Sequence, residues 1–131
     1  MAQPDSPPAP SRTAAWLIVC VLWACIFLPG LGTLELQGNE AKRILPAIHM
    51  LESGGWLMPE LGGVTYVNKP PLIYWTIAGS FRLAGSRSEG VARAPSVLFV
   101  LLFVSLLILM PSPLLGVAAR LVAAIILLTT V

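Results

Sequence analysis

The sequence predicts an all-α integral membrane protein: transmembrane helices joined by a long loop of amphipathic surface helices and a short hairpin. Three observations predict it. The chain is 56% hydrophobic and 11% charged, whereas a soluble domain carries about 25% charged residues. Its apolar residues gather in long runs, one near the start, one from Val97 and one after Arg120. Between the first two lies a polar stretch in which apolar residues recur at helical spacing.

Residues 1–12 hold four prolines with Asp5 and Arg12, a polar tail without a core-forming pattern. Every residue from Ala14 to Leu28 is apolar. With Thr13 and the Pro29-Gly30-Leu31-Gly32 exit, residues 13–32 give about 20 residues, one bilayer span. A cleaved signal peptide needs a small-residue site after a shorter core, and none is evident. A lipoprotein signal at Leu22-Trp23-Ala24-Cys25 puts a bulky Trp23 before the cysteine, and the apolar run continues beyond it. The segment reads as an uncleaved helix. Cys20 and Cys25 lie five apart on it and point in different directions, so a mutual disulfide is not expected.

Residues 33–90 form the loop. With the adjoining residues to 93 it holds six of the eight basic residues and five of the six acids. Asn39 reads as a helix cap. Ala41, Ile44, Leu45, Ile48 and Leu51 then make an apolar stripe that leaves Lys42, Arg43, His49 and Glu52 largely off it. Pro46 predicts a kink or break, and Ser53-Gly54-Gly55 an end. Leu57–Leu61 and Val64–Val67, joined by Gly62-Gly63, read as a hairpin. Pro70 and Pro71 suit the first turn of a second helix that ends at Gly85. Its rings, Tyr74, Trp75 and Phe81, suit a helix lying along a membrane surface.

Residues 91–110 read as a second span, apolar from Val97 to Met110 except for Ser105. Residues 111–120 form a turn on the cytoplasmic side, opened by Pro111-Ser112-Pro113. Residues 121–131 begin a third span and cover about half of the hydrocarbon core. The chain therefore reads as the N-terminal portion of a longer membrane protein, inactive by itself.

Net charge is +2, and no basic run is interleaved with aromatics, so nucleic acid is not an expected partner. His49 is the lone histidine and there is no Cys-x-x-Cys, which argues against a metal site in these residues. The segment Val64–Trp75 concentrates the chemistry. It sets Lys69 between an extended run and a double proline, followed by Tyr74 and Trp75. A boundary lysine often only snorkels to water. A cation beside a helix start also suits an anionic lipid head group.

Leu31–Glu35, Gly38–Arg43, Met50–Pro59, Leu61–Trp75 and Val91–Ser96 together resemble the first outer loop of a known family in order and spacing. It is the protein O-mannosyltransferase and aminoarabinose transferase superfamily of GT-C glycosyltransferases. The resemblance covers about residues 13–110. It implies a truncated GT-C-like fold, multi-pass in the cell (inner) membrane, with the loop on the periplasmic or exterior face. The count of positive charges argues for the opposite orientation. The resemblance further implies transfer of a hexosyl or pentosyl group from a polyprenyl-phosphate-linked sugar to a lipid, glycan or protein acceptor, with no cofactor or metal carried over.

Under that resemblance a loop carboxylate acts as general base or steadies developing charge. Glu40 is the first candidate and Glu35 the second. Lys69, Arg43 and Lys42 are the candidate ligands of the donor phosphate. Two positions depart from the family pattern. Asn39 stands where relatives often have Asp, and Asn68 where many have Glu. Glu40 also has a simpler reading as a first-turn acid complementing the helix dipole. Trp56, Tyr74 and Trp75 read as interface anchors. The rival from another class is a small non-catalytic membrane protein whose loop binds lipid or a partner.

Overall fold

The computed structural model describes residues 10–33, 38–111 and 113–130. Among these it contains five α-helices and one two-stranded hairpin: α1 Arg12–Phe27, α2 Gly38–Ser53, β1 Glu60–Leu61, β2 Val64–Thr65, α3 Leu72–Ala84, α4 Glu89–Leu109 and α5 Val117–Thr130. The chain divides into two compact units, Met1–Leu28 with Phe99–Val131, and Pro29–Leu98.

The first unit packs α1, α5 and the later part of α4 around Ala15, Val19, Val104, Ile108, Ala124 and Leu128. The alanines let helix backbones approach closely. Ser11 caps α1, its Oγ accepting from the Ala14 N–H at 3.2 Å. Ser105, the polar interruption of the second apolar run, accepts a 3.1 Å hydrogen bond from the Trp16 indole. Leu17, Val21, Leu102, Phe103 and Ile126 remain exposed. These helices are thus apolar on outer as well as inner faces, as in a membrane or the core of a large protein. The 21 residues of α4 rise about 31 Å, enough to cross a hydrocarbon core of about 30 Å. The apolar helices α1 and α5 are shorter, at 16 and 14 residues.

The sequence reading ended a turn at Arg120, but this residue lies within α5 and is 3% exposed. Its Nε donates to the Leu115 carbonyl at 3.0 Å, and its Nη1 to the carbonyls of Ile108 and Met110. The last carbonyls of a helix lack intrahelical donors and carry the negative end of its dipole. Arg120 supplies both hydrogen bonds and charge there, closing the α4–α5 corner.

In the second unit α2 packs on α3. Tyr74, Ile77, Ala78 and Phe81 follow i, i+3, i+4, i+7 spacing and meet Ile44, Ala47 and Met50, with Ala92 of α4 in the same cluster. Each large side chain so buried contributes about 1.5–3 kcal/mol. Pro46 does not end α2. The helix runs through it, and its ring is buried, so packing offsets the backbone hydrogen bond that proline cannot donate. The helix also begins at Gly38, which puts Asn39 inside the first turn rather than at the cap.

The hairpin pairs Glu60 with Thr65 and Leu61 with Val64. Gly62 and Gly63 have φ of +62° and +80°, the double positive φ of the turn that matches strand twist. Pro71 caps α3, and Gly85 closes it at φ +63°.

Arg120→Met keeps the stem and removes the donors. It should lower the stability of the intact protein by about 1–3 kcal/mol, read as a drop in thermal midpoint.

Candidate functional site

The first turn of α2 projects Asn39, Lys42 and Arg43 to one side, since residues three and four apart share a helix face. Tyr66 and Lys69 approach from the segment between β2 and α3. Pro70 disfavours helical backbone at Lys69, and Pro71 caps α3 directly afterwards. These five residues line one cavity of about 80 Å³. The volume equals roughly two or three waters of liquid. Three of the five carry positive charge and none is acidic, so its lining is electrostatically positive.

The three cations singled out from the sequence as phosphate ligands, Lys42, Arg43 and Lys69, therefore meet at one place. Asn39 and Tyr66 join them, and sequence reasoning had given neither a binding role. Asn39 had been noted only as a departure from the family acid. An aspartate there would put a carboxylate among the three cations.

Glu40 points away from this face, because one residue turns a helix by about 100°. Its two oxygens accept a fork from Arg93: Nε to Oε1 at 3.2 Å and Nη2 to Oε2 at 2.9 Å. Arg93 Nη1 also donates to the Leu31 carbonyl at 3.2 Å, and Glu89 lies 4.0 Å away. The Arg93 side chain is 16% exposed and that of Glu40 40%. Two-pronged charge-assisted pairs of this kind are stronger and more directional than single ones. Arg93 thus ties α2 to the turn after α1 and to the start of α4. Sequence reasoning missed it as a site residue. The available signals were its place in the Val91–Ser96 element and its charge at the mouth of an apolar run. Glu35, the second candidate carboxylate, lies outside the described residues.

The aromatic residues separate. Trp56 and Trp75 stay partly exposed, and the Trp75 indole donates to the Trp56 carbonyl at 2.7 Å. Tyr74, expected at an interface, is instead fully buried in the α2–α3 core. Burial pushes its phenol up from the ordinary value. Tyr66 adds to this and the Arg43 guanidinium opposes it.

An apolar cavity of about 510 Å³ lies beside Phe103, Leu107, Pro111 and Leu115 in the first unit. The polar residue on its wall is Arg120, whose guanidinium is engaged by the carbonyls at the α4–α5 corner.

The sequence of residues 68–131 matches the family model described as dolichyl-phosphate-mannose-protein mannosyltransferase. That stretch begins at Asn68 and includes the Lys69-Pro70-Pro71 element. The chain is also similar to the undecaprenyl phosphate-alpha-4-amino-4-deoxy-L-arabinose arabinosyl transferase of Pseudomonas savastanoi pv. phaseolicola, with 31% identity over 86 residues.

Both matches support a relationship to the GT-C glycosyltransferases.

The match to the Pseudomonas transferase covers 66% of this chain and 16% of that relative's length. No solved structure matches the chain. The cation cavity and the Arg93–Glu40 fork each join separate elements of the second unit.

A double-mutant cycle on Arg93→Met and Glu40→Gln should return a coupling of about 1–2 kcal/mol. Partial solvation of Glu40 keeps this coupling small. Additive effects on the thermal midpoint would show the fork to be energetically idle.

Proposed function

We propose that the protein is a multi-pass membrane glycosyltransferase that moves a sugar from a polyprenyl-phosphate carrier to a lipid, glycan or protein acceptor. Residues 33–90 form its loop on the periplasmic or exterior side of the inner membrane. The observation that carries this reading is the convergence of Lys42, Arg43 and Lys69 on one acid-free cavity in a chain related to the GT-C glycosyltransferases. Val67 and Leu72, close in sequence to Lys69, expose 73% and 60% of their surface. Cations beside exposed apolar side chains suit a phosphate that carries a lipid tail. The similar Pseudomonas protein is an undecaprenyl phosphate-alpha-4-amino-4-deoxy-L-arabinose arabinosyl transferase.

In the reaction an acceptor oxygen attacks the anomeric carbon, the bond from that carbon to the phosphate oxygen breaks, and the carrier phosphate leaves with one more negative charge. Lys69, Arg43 and Lys42 bind the phosphate and favour the charge that grows on it. The acceptor hydroxyl loses its proton as the new bond forms. Glu40 and then Glu35 are the carboxylates proposed for this side of the reaction. Both oxygens of Glu40 already accept hydrogen bonds from Arg93.

Lys69→Met preserves the stem and removes the charge. It should weaken polyprenyl-phosphate binding about tenfold to a hundredfold, with Lys69→Arg retaining part of the affinity. Binding measured in detergent at several salt concentrations tests this. Wild-type affinity for Lys69→Met at low salt would remove Lys69 from the site.

Glu40→Gln should lower turnover far more than donor binding. Unchanged turnover would move the role to Glu35 or elsewhere. For the topology, Ser53→Cys in a background without Cys20 and Cys25 should react with an impermeant thiol reagent in intact cells. Reaction only after lysis overturns the outward loop.

A further inference from the structure

We propose that the apolar cavity at the α4–α5 corner binds a phosphate-headed membrane lipid, with an acyl chain along α4 and the phosphate accepting a hydrogen bond from Arg120. The proposal does not depend on the cation cavity of the second unit.

The charge of Arg120 is the first reason. The residue is 3% exposed, yet residues 99–131 contain no Asp or Glu to pair with it. Its Nε donates to the Leu115 carbonyl, and its Nη1 to those of Ile108 and Met110. Carbonyls satisfy N–H groups but leave the net charge uncompensated, which is costly away from water. Nη2 carries two further N–H groups, and neither has a protein acceptor among the described residues. Nor is Nη2 sealed: among the described residues, the sealed side-chain atom without a partner is the Tyr74 hydroxyl. Arg120 is a wall residue of the cavity, so its spare amino group opens on that space.

The shape of the cavity is the second reason. Its volume of about 510 Å³ falls in the range of small-molecule sites, about 300–1,000 Å³. Phe103, Leu106, Leu107 and Met110 line it at i, i+3, i+4 and i+7 spacing, which is one face of a helix. They make an apolar strip about 10 Å long that ends beside the Arg120 corner. With 21 residues, α4 has the length of one hydrocarbon core. When α4 spans that core, its Leu109 end reaches the depth where lipid phosphates begin. Phe103, Leu106 and Met110 are exposed, so the strip is open to a chain arriving from the bilayer. An acyl chain matches the strip, and a phosphate at its end matches the guanidinium, which binds phosphate through charge-assisted hydrogen bonds. A peptide would leave its backbone groups unpaired against this wall.

The test uses the intact protein, stripped of co-purified lipid in detergent, with four probes: dioleoyl phosphatidylglycerol, dioleoylglycerol, oleate and inorganic phosphate. Native mass spectrometry and the thermal midpoint read binding. Dioleoylglycerol lacks the phosphate and should bind about tenfold to a hundredfold more weakly than phosphatidylglycerol, as expected for a lost hydrogen bond to a charged group. Leu106→Trp adds bulk to the wall from an exposed position and leaves the Arg120 bonds in place. It should weaken phosphatidylglycerol binding about tenfold, whereas Lys69→Met should bind it as the wild type does. Inorganic phosphate should not compete.

Equal binding of the two dioleoyl lipids, or wild-type affinity in Leu106→Trp, overturns the proposal. Loss of binding in Lys69→Met, or competition by inorganic phosphate, places the lipid on other cations and overturns it too. Oleate that displaces phosphatidylglycerol at equal concentration replaces the phosphate head by a carboxylate and rejects the assignment. Should Leu106→Trp fail to fold, phosphatidylglycerol with a photoreactive acyl chain maps the contact on the wild type. Crosslinks should concentrate within Phe103–Leu115. An even spread over α1, α4 and α5 means a general lipid belt only and rejects the site.

Discussion

The second unit depends on one guanidinium. Arg93 stands at the start of α4, where an apolar helix begins, and spends its donors on Glu40 of α2 and on the Leu31 carbonyl. Its side chain is largely shielded from water, so removing Glu40 would leave a poorly solvated positive charge. Gly90, one turn earlier, packs beside the same segment: a Cβ there would meet the Leu31 carbonyl oxygen and the Gly32 Cα at 3.5 Å, an ordinary contact. This charge therefore fixes where α2 begins relative to α4. The orientation of the first α2 turn, with Asn39, Lys42 and Arg43 on it, follows.

Helix existence was legible in the sequence wherever periodicity and punctuation agreed. Gly85 ends α3 as expected, and Gly62-Gly63 makes the hairpin turn. Local rules failed where tertiary packing outweighed them. Pro46 carries a strong breaking signal, yet its ring is buried and α2 continues. Tyr74 carries an interfacial signal, yet its i+3, i+4 and i+7 partners all face α2. A ring at that spacing on an amphipathic helix belongs to the buried stripe, and that periodicity was the better guide.

The site was half legible. Lys42, Arg43 and Lys69 were chosen by charge and motif, and they share a cavity. Their common position comes from two features far apart in the chain, a helix face and a proline-fixed segment, and no local pattern encodes their meeting. Glu40 was chosen for its carboxylate, but its partner lies 53 residues away. Ion pairing across that separation leaves no spacing rule to read. Arg120 illustrates the same limit. An arginine beside an apolar run reads as a boundary residue, while the carbonyls that it serves belong to the end of the preceding helix.

The two assemblies divide the labour of charge. On one side of α2 an acid and a base neutralise each other through a fork, which holds the helix without attracting a ligand. On an adjacent side three cations stand with no acid among the described lining residues, and solvent or an anion relieves their mutual repulsion. An unliganded cavity of this kind is less stable than one with a carboxylate on its wall, and the imbalance favours binding. Asn39 preserves it, because an amide can donate to an anion and adds no negative charge. The same substitution that removes an acid from the first turn therefore strengthens the cavity's preference for anions.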